Sequence, residues 1–510
     1  MVEPRGLEVP RRVVRALAIV ALLGLPLRIP FAAAQYAQIT ASPPLSADHW
    51  AVVAARRAEA TGLIPGYLPA QRSVPRHIVG RALRQAAERA AMRSLELADL
   101  TEAWTQRFAE EFPEAALPAA DGTELPKMLG SSAGLGYGLH EGRESPGIGE
   151  FPDSRTGSLP LPDRSSVAAD VSVSFAVRPW MAISVDPHAD ADGVRITGGD
   201  LTLGWRSVAL SVGRQPIGYG YGEGAVVLSG AAAMDRVQIE TTTPLHLPGV
   251  LGYLGPVSFH TFLSRFMEER HVGEPWFWGA SGSIRPHDRL TLSIHRATTI
   301  GGGPAPAPIT ARGLLYTFIG KHAGTLADQV VSAEFRYRAP TEELLPITLY
   351  LEWGAEDSAG SFKNVPGQVF GVLLPALPRL AAVGLGAEYA RFEAACCGNP
   401  PWYRHNAHPG NWVLSDVPLG HAVGGNGTEM LVYTQADLLD ARLRLDARAF
   451  RRERRTENLF VPGRDGSSNG VSGRASWRLG PRSDLMLFVA RESGSDWAER
   501  EASVGMRVFF

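Results

Sequence analysis

The last seven residues, Val504-Gly505-Met506-Arg507-Val508-Phe509-Phe510, decide the fold. In an extended chain, successive side chains point to opposite sides, so Val504, Met506, Val508 and Phe510 share one face. An amphipathic last strand ending on an aromatic residue is the form in which outer-membrane barrels present themselves to their assembly machinery. These four residues are therefore read as an assembly signal.

The same period of two recurs upstream. Val171, Val173, Phe175 and Val177 alternate with polar neighbours, as do Val208, Leu210 and Val212. Leu290, Leu292 and Ile294 alternate with Thr291, Ser293 and His295. Glu334, Arg336 and Arg338 interleave Phe335 and Tyr337, and Arg444, Asp446 and Arg448 interleave Leu443, Leu445 and Ala447. Strict alternation fits a soluble sandwich with its apolar face inside. It equally fits a membrane barrel with its apolar face towards lipid and charged residues in the lumen. The C-terminal strand and the charged inner positions favour the barrel. The span 166–510 accommodates about 16–18 antiparallel strands of roughly ten residues each. The expected fold is thus mainly β: a large transmembrane β-barrel with a small N-terminal α-helical periplasmic segment.

The N-terminus carries export chemistry. Arg5, Arg11, Arg12 and Arg15 precede the apolar run from Ala16 to Leu27, and Ala32-Ala33-Ala34 offers a cleavage site, so residues 1–34 read as a signal peptide. Residues 35–112 read as helical, with Ser46 as an N-cap and helices over 51–61 and 79–92. Residues 113–165 are rich in Pro, Gly, Ser and Asp and read as a linker. The formal net charge is −2, from 50 basic and 52 acidic residues, a balance that gives no support to nucleic-acid binding. Cys396 and Cys397 are adjacent and are the only two cysteines. They can form a vicinal disulfide or stay thiols, and they lack the spacing of a zinc site.

Two resemblances follow from quoted residues. Asp48-His49-Trp50-Ala51, Thr61-Gly62-Leu63-Ile64-Pro65-Gly66 and Val74-Pro75-Arg76 together resemble one S-layer-homology repeat. Repeats of that family bind cell-wall polymer, which makes peptidoglycan a candidate partner of residues 35–112; a helical cap below the barrel is the alternative. From about Val194 to Phe510 the chain resembles the Wzi family of capsule-assembly outer-membrane proteins. The residues that carry this are Gly213-Arg214-Gln215-Pro216-Ile217-Gly218-Tyr219-Gly220, Pro275-Trp276-Phe277-Trp278-Gly279, Leu349 to Asp357, Glu388-Tyr389-Ala390, Trp402-Tyr403-Arg404-His405 and Pro418-Leu419-Gly420-His421. The resemblance implies a monomeric barrel of roughly 18 strands that holds surface polysaccharide in a lectin-like way without catalysis.

The stretch from Cys396 to Gly427 concentrates aromatic, His and Arg residues among Gly and Pro. Trp402, Tyr403, Arg404, His405, Trp412 and His421 are the candidate polysaccharide contacts: rings stack on sugar faces and Arg forms charge-assisted bonds to uronates. The alternative is an aromatic girdle with loop packing. Arg336, Arg338, Arg444 and Arg448 are the candidate basic lumen lining, either paired with Glu334 and Asp446 or favouring anionic glycans. Glu356 and Asp357 alternate across a strand and cannot flank one glycosidic bond. His405, His408, His421 and Asp416 form no recognisable metal motif. No cofactor, metal or enzymatic activity is expected. A porin-type channel for sugars or anionic solutes, and a wall-tethering protein, remain the other readings.

Overall fold

The structure is a computed structural model that describes residues 39–92, 97–116, 128–141, 164–190, 193–267, 273–301, 327–342, 344–356, 367–393, 402–404, 412–414, 417–461 and 463–510. The signal-peptide expectation, Cys396, Cys397, His405, His408, Asp416 and Asp357 lie outside these residues.

Eighteen antiparallel strands close into one barrel. In chain order they are β1 Met128–Glu141, β2 Arg164–Arg178, β3 Met181–Asp190, β4 Gly193–Trp205, β5 Val208–Gly218, β6 Ser229–Thr241, β7 Pro256–Arg265, β8 Trp276–His287 and β9 Leu290–Ile300. They continue with β10 Ala327–Arg338, β11 Thr348–Glu356, β12 Gly367–Leu374, β13 Val383–Phe392, β14 Gly427–Leu438, β15 Leu443–Arg454, β16 Gly466–Gly480, β17 Ser483–Ser493 and β18 Ala498–Phe509. Closure is made by β18 on β1, with Val504 opposite Tyr137 and Met506 opposite Leu135. Beyond the last pair, the Phe510 amide donates to the Ser131 carbonyl at 2.8 Å.

The first strand corrects the linker reading of 113–165. β1 has the sequence MLGSSAGLGYGLHE, in which glycine dilutes the apolar signal. Leu135, Tyr137 and Leu139 nevertheless all face outwards. The chain can pair there because β18 and β2 supply its ladder on both sides.

The alternation resolves as lipid outside and polar inside. On β10, Phe335 is 45% exposed whereas Glu334 is 7% exposed. Ile294 is exposed while Thr291, Ser293 and His295 are buried. Exposed Trp180, Trp205, Tyr253 and Trp477 ring the end with short turns, and Tyr137, Trp353 and Tyr389 lie towards the other, the two aromatic girdles of a membrane barrel. Val504, Met506 and Phe510 point outwards; Val508 is half-buried.

The N-terminal segment forms helices α1 Trp50–Ala60, α2 Arg76–Met92, α3 Ala98–Glu111 and α4 Pro113–Ala116. The N-cap of α1 is His49, which accepts from the Ala51 amide, and not Ser46, whose hydroxyl bonds Asp48 instead. Thr61 is the C-cap of α1, after which Gly62 takes a φ of +79°, a conformation that favours glycine. α1 is alanine-rich and buried on almost every side, so it is a core helix. It packs with α2 and α3 around Val79, Leu83, Trp104 and Phe108.

Candidate functional site

Three layers of the chain's own residues occupy the lumen. The first is the helical segment, seated in the short-turn mouth. Arg57 of α1 donates to the Pro375 carbonyl at 3.0 Å and to Asp437 at 2.6 Å, and lies over the Trp104 ring. Arg107 of α3 reaches Asp484 at 3.2 Å and the Ala441 carbonyl at 2.8 Å. From the wall, Arg285 meets Glu59 at 2.7 Å and Arg474 meets Asp48 at 3.0 Å. Buried charges of this kind are tolerable only when paired, and removing one partner is costly. Within the segment, Glu111 accepts from Trp50 Nε1 at 2.7 Å and lies 3.2 Å from His49 Nε2. Burial would raise the Glu111 carboxyl, but His49, Arg107 and Trp50 outweigh it and hold the carboxyl down to about 2.

The second layer is the β5–β6 connection, Tyr219-Gly220-Tyr221-Gly222-Glu223-Gly224-Ala225-Val226-Val227-Leu228, which folds inwards. Its amides are met by inward-facing glutamates of β10, β11 and β13. Tyr221 N donates to Glu334 at 2.5 Å, Val226 N to Glu352 at 3.1 Å, and Gly224 N to Glu388 at 2.9 Å, with Glu223 N bonding Glu388 as well. Its carbonyls are met by Arg72, from the segment between α1 and α2. Arg72 donates to Gly220 (3.0 Å), Gly222 (2.6 Å), Glu223 (3.2 Å), Gly224 (2.5 Å) and Ser229 (3.3 Å). Glycine is required by close approach: a Cβ on Gly222 would stand 2.4 Å from Glu388 Oε1.

The third layer corrects the expectation of displayed loop aromatics. Trp402 is 3% exposed, Tyr403 and Trp412 are 0%, and His421 is 1%. The Tyr403 hydroxyl donates to the Val226 carbonyl at 2.7 Å and Trp412 Nε1 to the Val227 carbonyl at 3.0 Å. The Tyr403 amide donates to Glu356, at the end of β11, at 2.8 Å. Tyr403 stacks on Trp412, and Phe392 packs against Trp402, Tyr403 and His421. Burial lowers the His421 imidazole to about 4, against the opposing pull of Glu429, so it is neutral at pH 7. In this conformation these rings have no free face for a sugar. Arg404, half-buried, donates to the Asn458 carbonyl at 2.5 Å.

Each of the four basic candidates, Arg336, Arg338, Arg444 and Arg448, has a partner. Arg336 lies 3.4 Å from Glu59 and over the Tyr221 ring. Arg338 meets Glu342 and donates to the Glu59 carbonyl. Arg444 is bidentate to Asp446 and donates to the Trp50 carbonyl. Arg448 meets Glu223 at 2.5 Å. Only the Asp446 pairing matches the expected partners; Glu334 serves the inner loop, and the other bonds tie the barrel to its filling. Arg448 is the most open, with its side chain 38% exposed against 11% for Arg336 and 5% for Arg444.

Space remains along the β14–β17 wall. A cavity of ≈ 180 Å³ is bounded by Arg56, Arg448, Arg474, Glu223, Phe450 and Phe488. A second, of ≈ 270 Å³, continues between the helices and β1–β4, with Asp48, Arg444, Asp446 and Arg474 facing both. Among the described residues no group of three or more His, Cys, Asp or Glu side chains could hold a metal ion.

Sequence reasoning singled out the stretches holding Glu352, Glu388 and Gly218 to Gly220 but not their joint purpose. A lone carboxylate in an apolar strand was the available signal. Arg72 carried none, standing between Gln71 and Ser73 in an irregular segment.

Comparisons with known proteins agree with this architecture. Among solved structures, the chain resembles Wzi, an outer-membrane protein involved in group 1 capsule assembly in Escherichia coli and described as a carbohydrate-binding β-barrel. The TM-score is 0.68 at 16% identity, over 92% of this chain and 99% of that one. Pseudomonas aeruginosa OpdQ gives a TM-score of 0.43 at 9% identity (75% of this chain, 97% of that one), and OprD of the same organism 0.41 at 10% (74% and 94%). No curated protein sequence matches significantly. The profile of one family, capsule assembly protein Wzi, matches residues 161–498. Covering well over half of the chain and nearly all of the barrel, that match establishes that the chain belongs to the capsule assembly protein Wzi family.

Proposed function

We propose that this protein is a non-enzymatic outer-membrane barrel that attaches or assembles capsular or extracellular polysaccharide at the cell surface in a lectin-like way. The observation that carries the reading is the family match together with a lumen occupied by the protein's own chain. A diffusion channel for sugars or anionic solutes would require the inner loop and the helical segment to leave the barrel, against the ion pairs and hydrogen bonds that hold them.

Short turns face the periplasm in outer-membrane barrels and long loops face outwards. On that rule the helices sit on the periplasmic side and the layer around Trp402, Tyr403 and Trp412 lies beneath the outer surface. Trp402, Tyr403, Trp412 and His421 then shape the mouth from below, and Arg404 and His405 remain the candidates for polymer contact. Outer-membrane lipid covers the apolar belt. The β18 face of Val504, Met506, Val508 and Phe510 serves the barrel assembly machinery, and a closed sheet with no open edge favours a monomer. Peptidoglycan contact by residues 35–112 would fall to the outward faces of α2 and α3, since Asp48, His49 and Trp50 are engaged in seating the segment.

The test is the ratio of cell-bound to shed polysaccharide in a deletion strain and in its complemented counterpart. Shedding on deletion with recovery on complementation is expected. An unchanged ratio would refute surface attachment.

A further inference from the structure

We propose that the cavity between the inner loop and the β14–β17 wall is a seat for one carboxylate-bearing sugar residue, with Arg448 and Arg56 as its anion clamp and Glu223 occupying the carboxylate position from within the chain. The inference rests on the polysaccharide-binding reading and adds to it a place and a chemical class.

Charge comes first. Six arginines and four carboxylates line the cavity: Arg56, Arg72, Arg444, Arg448, Arg452 and Arg474 against Asp48, Glu223, Glu429 and Asp446. Arg452 meets Glu429 and Glu492, Arg444 meets Asp446 and Asp437, and Arg474 meets Asp48. Arg56 and Arg72 instead direct their donors to backbone carbonyls, Arg56 to that of Tyr221 and Arg72 to four in the loop and to that of Ser229. The Glu223 carboxylate takes Arg448 at 2.5 Å. Burial alone would raise the Glu223 carboxyl, but Arg448, Arg56 and Arg72 hold it below the usual range. A carboxylate is thus the chemistry this corner stabilises. Guanidinium groups favour carboxylate oxygens as planar, charge-assisted donors.

Shape comes second. Phe450 of β15 and Phe488 of β17 form part of one apolar cluster on the wall. Both rings lie along the cavity with an arginine over each, Arg452 over Phe450 and Arg474 over Phe488, while Gln435 and Ser472 supply polar atoms for hydroxyls. At ≈ 180 Å³ the space holds about a dozen waters by its own measure. That suits a single pyranose ring rather than a stretch of polymer, so the seat would take a chain end or a side-branch sugar. Glu223 stands on a loop tip between Gly222 and Gly224, and its side chain is 11% exposed. It can yield to a ligand carboxylate without a net change of charge at Arg448.

The test uses the full-length barrel in detergent and calorimetric titration at low salt, with trigalacturonate as the acidic probe and maltotriose as the neutral one. The acidic probe is expected to bind at least tenfold more tightly than the neutral one. Arg448→Gln should weaken it by tenfold or more, Arg448→Lys less so, and Glu223→Gln should tighten it several-fold by removing the internal competitor. Heat-modifiable gel mobility establishes that each variant is folded. Equal binding of both probes, no binding of either, or indifference to Arg448→Gln and Glu223→Gln in folded protein would overturn the seat. Cells separate this from the wider reading. Normal retention with Arg448→Gln alongside shedding on deletion defeats the seat alone, whereas retention on deletion defeats polysaccharide attachment itself.

Discussion

Arg72→Ala should unfasten the inner loop while leaving the barrel closed. Arg72 reaches four carbonyls of that loop and the carbonyl of Ser229 at its end, at 2.5 to 3.3 Å. A hydrogen bond to a charged group contributes about 1.5–3 kcal/mol net. The five do not add, since three are 3.0 Å or longer and water from the adjacent ≈ 180 Å³ cavity can reach the carbonyls once the side chain is gone. Two short bonds, partly compensated by that water, leave a loss of about 3 kcal/mol. The amides of Tyr221, Gly224 and Val226, which the glutamates of β10, β13 and β11 hold, report local opening directly. Hydrogen exchange read by mass spectrometry should show their protection falling by about a hundredfold, since 1.36 kcal/mol is one decade. Strand amides of β10 to β13 should not change. If protection at 221–226 stays within threefold of wild type, the loop does not depend on Arg72 and the coupling through it is refuted.

Gly222→Ala should open the same amides by a different route. Its Cβ would stand 2.4 Å from Glu388 Oε1 and 2.9 Å from Tyr350 Cε2, a steric cost of about 1–3 kcal/mol; unchanged exchange would contradict the close packing. Acid should loosen the helical segment before the barrel. The His77 imidazole is lowered by burial to about 3 from 6.5, so its contribution is lost as pH falls from 6.5 towards 3. Glu111, depressed from 4.5 to about 2, adds a loss of about 3 kcal/mol between those values. Fluorescence of Trp50 and Trp104 should report this, with Glu111→Gln flattening the lower step; a signal constant down to pH 3 would count against it. Met506→Arg places a charge on the lipid face, where it costs about 2–4 kcal/mol near the midplane. The folded fraction in urea titrations from lipid vesicles should fall accordingly, and no fall would mean that Met506 does not face lipid.

The sequence by itself determined the wall. Period-two alternation fixes which side chains share a face, and charged residues opposite apolar ones in the same strand, as at Glu334 and Phe335, assign the polar face to the lumen. The amphipathic Val504 to Phe510 stretch and the span 166–510 led to a barrel of about 16–18 strands. Local pattern could not find β1, because glycine contributes no hydropathy and only pairing with β18 and β2 makes the segment a strand. Nor could it decide what fills the lumen. An inward glutamate satisfies the same alternation whether it meets water, an arginine or a loop amide. Glu334, Glu352 and Glu388 acquire their meaning only when β10, β11 and β13 bring them alongside Gly220 to Val226. The aromatic-rich stretch around Trp402 and Trp412 is equally ambiguous, since rings suited to stacking on sugars are as well suited to burial. Its position against Val226 and Val227 is set by contacts between residues some 180 positions apart. Arg72 is the extreme case: nothing in its neighbours distinguishes it, and tertiary structure alone joins the N-terminal segment to the inner loop through it.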